Sequence, residues 1–242
     1  MTEIPDNWPA PQKILVILAH PDDPEFFCGA SLVRWARAGH EIQYFLLTCG
    51  DKGGDADTTP DELCRSRHLE QHNAARIIGA KSVRFLDLED GYLVPSLDLR
   101  KEIVREIRRV KPDILVTCDP TNLYPSTRYG LNHPDHRAAG QVVLDAVFPA
   151  AGNVHFFPDL LDKEGLSPHT PREIWISFTA QPNVTLDISE YWEIRLLALK
   201  EHSSQIGDPI LFEERMRSRH TEDSSIEDPR YEERFRVLKF RK

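Results

Sequence analysis

From Lys13 to Ala19 the chain reads KILVILA, with no polar side chain after the first position. A strand that stays apolar at every position must be covered on both faces, as the inner strands of a parallel sheet are. The run stops abruptly at His20-Pro21-Asp22-Asp23-Pro24-Glu25. Charge of that density cannot sit unpaired inside a core, so the strand tip must meet solvent, a partner group or a cation.

The same grammar repeats along the chain. EIQYFLLT (41–48), SVRFLDL (82–88), DILVTCD (113–119) and EIWISFTA (173–180) read as further strands. Helical spacing of apolar residues falls between them over 28–39, 60–78, 97–110, 133–147 and 188–202, with Gly39 and Gly79 placed to end two of the helices. Strands alternating with helices of this length predict right-handed βαβ units and a parallel α/β sheet. Length fits one domain, 1–242, with an N-terminal extension over 1–12 and a charged, weakly patterned C-terminal segment from about 205 to 242. In open sheets of this kind ligands bind beyond the carboxyl ends of the strands. His20–Glu25, Thr48–Asp51 and Asp119 onward all fall there.

Composition narrows the function classes. A formal net charge of −9 disfavours general binding to nucleic acid or to anionic membranes. No apolar run approaches the roughly 20 residues of a membrane span, and MTEIPDNWPAPQK does not read as a signal peptide, so a cytoplasmic location is expected. The four cysteines are scattered without a CxxC pair and read as reduced, buried thiols. GDKGG (50–54) lacks the lysine-serine ending of a phosphate loop, and there is no HExxH helix or GxSxG elbow.

Two clusters carry the chemistry. The first is His20 to Glu25; the second is Asn132-His133-Pro134-Asp135-His136, at a predicted helix start. Alone, either also fits a capping turn, because Asp and Pro favour helix starts. Together they offer imidazoles and a carboxylate along one rim. Two His and one Asp with an open position is a catalytic zinc pattern, and the spare carboxylate beside it suits metal-assisted amide hydrolysis. Other divalent ions compete for such donors. The loop 119–132, with Tyr124, Arg128 and Tyr129, is either a cover for this site or an ordinary long connection.

AHPDDPEF (19–26) with HPDHR (133–137) resembles the PIG-L/LmbE-like family of zinc-dependent de-N-acetylases. TCGDKGG (48–54) is similar to that family's TxGExG loop, RHLEQHNAARIIG (67–79) to its R-x-x-E helix and ALKEHSSQ (198–205) to its late SQ segment. Asp51 stands where glutamate is usual. The resemblance implies a Rossmann-like fold and removal of the acetyl group from a small N-acetylglucosamine-type substrate. It implies Zn2+ held by His20, Asp23 and His136, with Asp22 as general base. His133 would assist the tetrahedral intermediate, oriented by Asp135; Arg67 would lie near substrate, and Glu25 would support the ligands from behind. It also implies a homo-oligomer. The alternatives are an amidase for a non-sugar or thiol-sugar conjugate, and a non-catalytic zinc-binding interaction protein.

Overall fold

The computed structural model describes residues 6–9, 11–126 and 130–240; Arg128 and Tyr129 lie outside them. Strands β1 (Lys13–Leu18), β2 (Glu41–Thr48), β3 (Ser82–Leu88), β4 (Ile114–Cys118), β5 (Glu173–Ser177), β6 (Val184–Asp187) and β7 (Glu232–Lys239) form one sheet in the order β3-β2-β1-β4-β5-β7-β6. The pairings from β3 through to β5 are parallel, and β7 runs antiparallel to both β5 and β6. This is the single-domain, mostly parallel α/β architecture that the alternation predicts.

Helices α1 (Asp23–Arg37), α2 (Pro60–Ile78) and α6 (Trp192–Lys200) pack together, as do α3 (Leu97–Val110), α4 (Pro134–Asp145) and a wide turn over Ala146–Ala151. Short helices α5 (Asp159–Asp162), α7 (Ser203–Ile206) and α8 (Pro209–Arg217) complete the chain. Ile14 to Leu18 of β1 are fully buried, which is why that run needs no polar alternation. Connections leave β1 toward β2 and β3 on one side and reach β4 and β5 on the other, so strand order reverses between β1 and β4. The crevice beyond their carboxyl ends is the expected ligand site. Among the described residues no helix is long and apolar enough to cross a membrane.

The structure corrects three sequence expectations. Cys49 and Cys64 are joined in a disulfide, and only Cys28 and Cys118 are free buried thiols. The first helix begins at Asp23 instead of residue 28, because Asp23-Pro24 opens a helical turn that meets the rest of α1 at a non-helical Cys28. The segment from 205 is not merely peripheral: β7 lies inside the sheet order, with Phe235 fully buried beside Trp35 and Trp175.

Candidate active site

The tip of β1 turns back on itself through Asp23. Its Oδ2 accepts the backbone N–H groups of Ala19 (3.1 Å) and His20 (2.9 Å), leaving Oδ1 to face His136 Nε2 at 3.0 Å. His136 comes from the first turn of α4, and its Nδ1 lies 2.9 Å from Asn132 Oδ1. An amide oxygen only accepts, so Nδ1 carries the proton and a neutral His136 presents an Nε2 lone pair to a carboxylate oxygen. Two electron-rich atoms at that distance call for a proton or a cation between them.

His20 completes the group. It, Asp23 and His136 each present a ligand atom within 4.8 Å of the other two. The buried His20 Nε2 has no hydrogen-bond partner, although Asp90 Oδ1 and Asp135 Oδ2 stand 3.1 and 3.4 Å away. Burial alone would lower the pKa of His20, but the surrounding carboxylates of Asp135, Asp23 and Asp90 raise it well above its ordinary value. Burial works against the Asp23 carboxylate as well, yet His136 and His20 hold its pKa well below the usual range. Orphaned nitrogen, concentrated negative charge and a His2Asp donor set together fit a divalent metal ion.

Asp22 is not one of these converging donors. Its backbone lies at φ 91°, a region that costs a non-glycine residue roughly 1–3 kcal/mol. Gln71, fully buried on α2, accepts the Asp22 N–H at 2.8 Å, and Arg67 Nη2 donates to Asp22 Oδ2 at 3.2 Å. Arg67 also donates to Pro21 O (2.6 Å) and Gly50 O (3.0 Å), and a side chain at Gly50 would run into its guanidinium. Arg67 is only 3% exposed, so its contacts hold the Asp22 turn and the Gly50 loop in place. Burial raises the Asp22 pKa above the usual carboxylate value, with Arg67 pulling the other way and Asp23 adding to the rise.

Glu25 is also fully buried, and its carboxylate hydrogen-bonds to none of His20, Asp23 and His136. Its Oε2 receives Gln71 Nε2 at 3.0 Å and lies 3.1 Å from His202 Nε2. Glu25 therefore acts on Asp22 through Gln71. His133 caps α4: its Nδ1 accepts the Asp135 N–H at 3.2 Å, while its Nε2 stands 3.8 Å from Asp90 Oδ1. Burial and the neighbouring imidazoles of His20 and His136 lower its pKa. The Asp135 carboxylate meets His133 less directly than the HPDH spacing suggests. It receives the backbone N–H groups of Gly91 (2.7 Å) and Leu93 (3.2 Å), and so ties the β3–α3 loop to α4.

Asp90 and Gln71 are the members that sequence reasoning did not single out, whereas His202 stands out only through the family-like ALKEHSSQ segment. Asp90 follows the carboxyl end of β3, so the strand-end rule could have found it; Gln71 carries no such local signal. Beside His136, the Phe27 ring packs at 5.0 Å and stacks on Phe178 at 4.7 Å. Those aromatics, with Asn122 and Tyr124, line a cleft of about 400 Å³.

A family model described as PIG-L, GlcNAc-PI de-N-acetylase, matches residues 15–147, a span that includes both charged clusters. The diacetylchitobiose deacetylase of Thermococcus kodakarensis is 35% identical over 201 residues, covering 82% of this chain and 72% of that protein. A probable N-acetyl-alpha-D-glucosaminyl L-malate deacetylase 2 of Bacillus anthracis is 25% identical, covering 82% and 84%. The solved N,N'-diacetylchitobiose deacetylase of Pyrococcus horikoshii superposes with a TM-score of 0.86 at 29% identity, covering 98% of this chain and 88% of that one. Match, fold and site agree: the chain belongs to the PIG-L family of de-N-acetylases.

Proposed function

We propose that this N-deacetylase hydrolyses the acetamide of an N-acetylglucosamine-type amino sugar, with Asp22 as the general base. The observation that carries the reading is Asp22 itself: a carboxylate left free of the His20, Asp23 and His136 group, yet pinned beside it in a strained backbone by Gln71 and Arg67. A divalent cation, Zn2+ by the donor set, supplies Lewis-acid activation when held by His20, Asp23 and His136.

The chain's own groups move the protons. Burial makes Asp22 a stronger base than an exposed aspartate, and it takes the proton of the attacking water. Arg67 keeps it aimed and ionised between turnovers. His133 is neutral near pH 7, since its pKa is lowered, and with Nδ1 occupied by the Asp135 N–H its proton sits on Nε2. That Nε2–H is a donor for the tetrahedral oxyanion without prior protonation of the ring. Protonated Asp22 then returns its proton to the leaving nitrogen, giving free amine and acetate. The aromatic cleft beside His136 has room for the remainder of a sugar substrate.

Acetate release from N,N'-diacetylchitobiose and related N-acetylated amino sugars tests the assignment. Asp22→Asn should keep its metal and lose turnover by about 10²–10⁴. A metal-loaded Asp22→Asn protein with normal turnover would overturn the role of Asp22. A metal-replete wild type that releases no acetate from any of these sugars would overturn the activity.

A further inference from the structure

A second group of potential ligands, Cys49, Cys64, His68 and Asp87, shares no member with the His20 cluster. Cys49 follows β2, and Cys64 sits early in α2; the two form the disulfide, with Cα atoms 5.1 Å apart. One turn further along α2, His68 Nε2 lies 3.8 Å from Cys64 Sγ and 2.9 Å from Asp87 Oδ1 on β3. Phe85 stacks on the His68 ring at 3.8 Å and fixes its plane. The four ligand atoms, two sulfurs, one imidazole nitrogen and one carboxylate oxygen, all lie within 4.8 Å of one another.

We propose that reduction of the Cys49–Cys64 disulfide opens a second metal site, in which Cys49, Cys64, His68 and Asp87 bind one divalent ion of the zinc type. Two thiolates, an imidazole and a carboxylate are a full tetrahedral donor set. A tetrahedral zinc with Zn–S of about 2.3 Å holds its two sulfurs roughly 3.8 Å apart, so the sulfurs must separate, whereas His68 and Asp87 already converge. The chemistry balances in two steps. A dithiol reductant delivers two electrons and two protons to the S–S bond and leaves as its own disulfide; the metal ion then displaces both thiol protons into solvent. Cys64 and His68 are partly exposed and Asp87 more so, which gives reductant and metal a route in.

The consequence reaches the active site through one residue. Gly50 follows Cys49, and its carbonyl receives Arg67, which lies between Cys64 and His68 on α2. Either cross-link, disulfide or metal, pins the 49–50 backbone to the helix that steadies Asp22.

The test is a Co2+ titration of the full-length protein, stripped of metal, in its oxidised form and after reduction by a dithiol that is then removed. The reduced form should take up one more equivalent than the oxidised form and should alone show a thiolate-to-cobalt charge-transfer band. Cys64→Ser should abolish that band. Asp87→Asn and His68→Ala should each weaken the extra equivalent about tenfold or more. Asp87 is exposed, so its variant stays informative even if Cys64→Ser folds poorly. Equal uptake by the two forms would overturn the proposal. So would a band unchanged in both Asp87→Asn and His68→Ala, which would mean that free thiols scavenge cobalt without a built site.

Discussion

Replacing Gln71 by leucine isolates the support beneath the proposed base. Gln71 is fully buried, accepts the Asp22 N–H at 2.8 Å and donates to Glu25 Oε2 at 3.0 Å. Leucine fills similar volume but can do neither. The Asp22 N–H loses its acceptor, and Glu25 keeps only His202 on that oxygen. A buried donor left unsatisfied costs about 1–3 kcal/mol, and with the weakened Glu25 contact the loss of stability comes to roughly 2–4 kcal/mol. For a chain of this size that lowers Tm by roughly 5–15 °C. The catalytic effect has a different origin. Asp22 at φ 91° is strained, and without Gln71 its backbone is free to relax, carrying the carboxylate with it. A misplacement of about 1 Å costs on the order of 10²-fold in rate, so kcat should fall by about 10–10² while KM changes little. Acetate release from N,N'-diacetylchitobiose and a thermal melt read the two effects separately. A variant with lowered Tm but wild-type kcat would refute the reasoning, because Arg67 alone would then be holding Asp22.

Two further expectations concern stability. Burial alone would lower the pKa of His202, but the hydrogen bond and charge of Glu25 raise it above its ordinary value. A histidine raised on folding contributes stability that is complete below its unfolded pKa of about 6.5 and is lost as pH rises through the folded value. The Tm gap between wild type and His202→Gln should therefore be widest below about pH 6.5 and shrink in alkali, and a gap independent of pH would sink the idea. Trp35 is buried against Trp8, Trp175 and Phe235, with its Nε1–H donating to Asp6 Oδ2 at 3.0 Å. Trp35→Ala should cost about 3–5 kcal/mol in denaturant unfolding, and a loss under about 1 kcal/mol would show that this cluster does not anchor the core.

Four of the five parallel strands, β1, β2, β4 and β5, were legible because burial on both faces leaves few polar positions to confuse the pattern; β3, at the sheet edge and partly exposed, was legible from its β-rich residues between two helical segments. β7 was not legible. EERFRVLK alternates buried and exposed positions, and its charged half reads as solvated surface until α1 is known to cover the other half. The start of α1 was hidden by the same residues that carry chemistry, since Asp23 and Glu25 are buried in its first turn. The disulfide joins positions 15 apart, a spacing that distinguishes nothing until the first turns of α2 meet the residue that follows β2.

At the site, legibility follows sequence distance. His20, Asp22 and Asp23 are neighbours, as are His133, Asp135 and His136, so the motifs display them together. Gln71 reaches Asp22 across 49 positions and His202 reaches Glu25 across 177, and only the packing of α2 and α6 brings them there. The HPDH segment shows what a motif leaves out. A helix start sends its side chains outward in different directions, so His136 turns to Asp23 while the Asp135 carboxylate turns to the 91–93 loop and His20. What remains for His133 is the Asp135 backbone N–H, and that bond decides which of its nitrogens carries the proton. The oxyanion donor assigned to His133 is thus set by a helix cap as much as by any side-chain partner. A substitution at Asp135 would spare that hydrogen bond while releasing the loop that places Asp90 beside both His20 and His133.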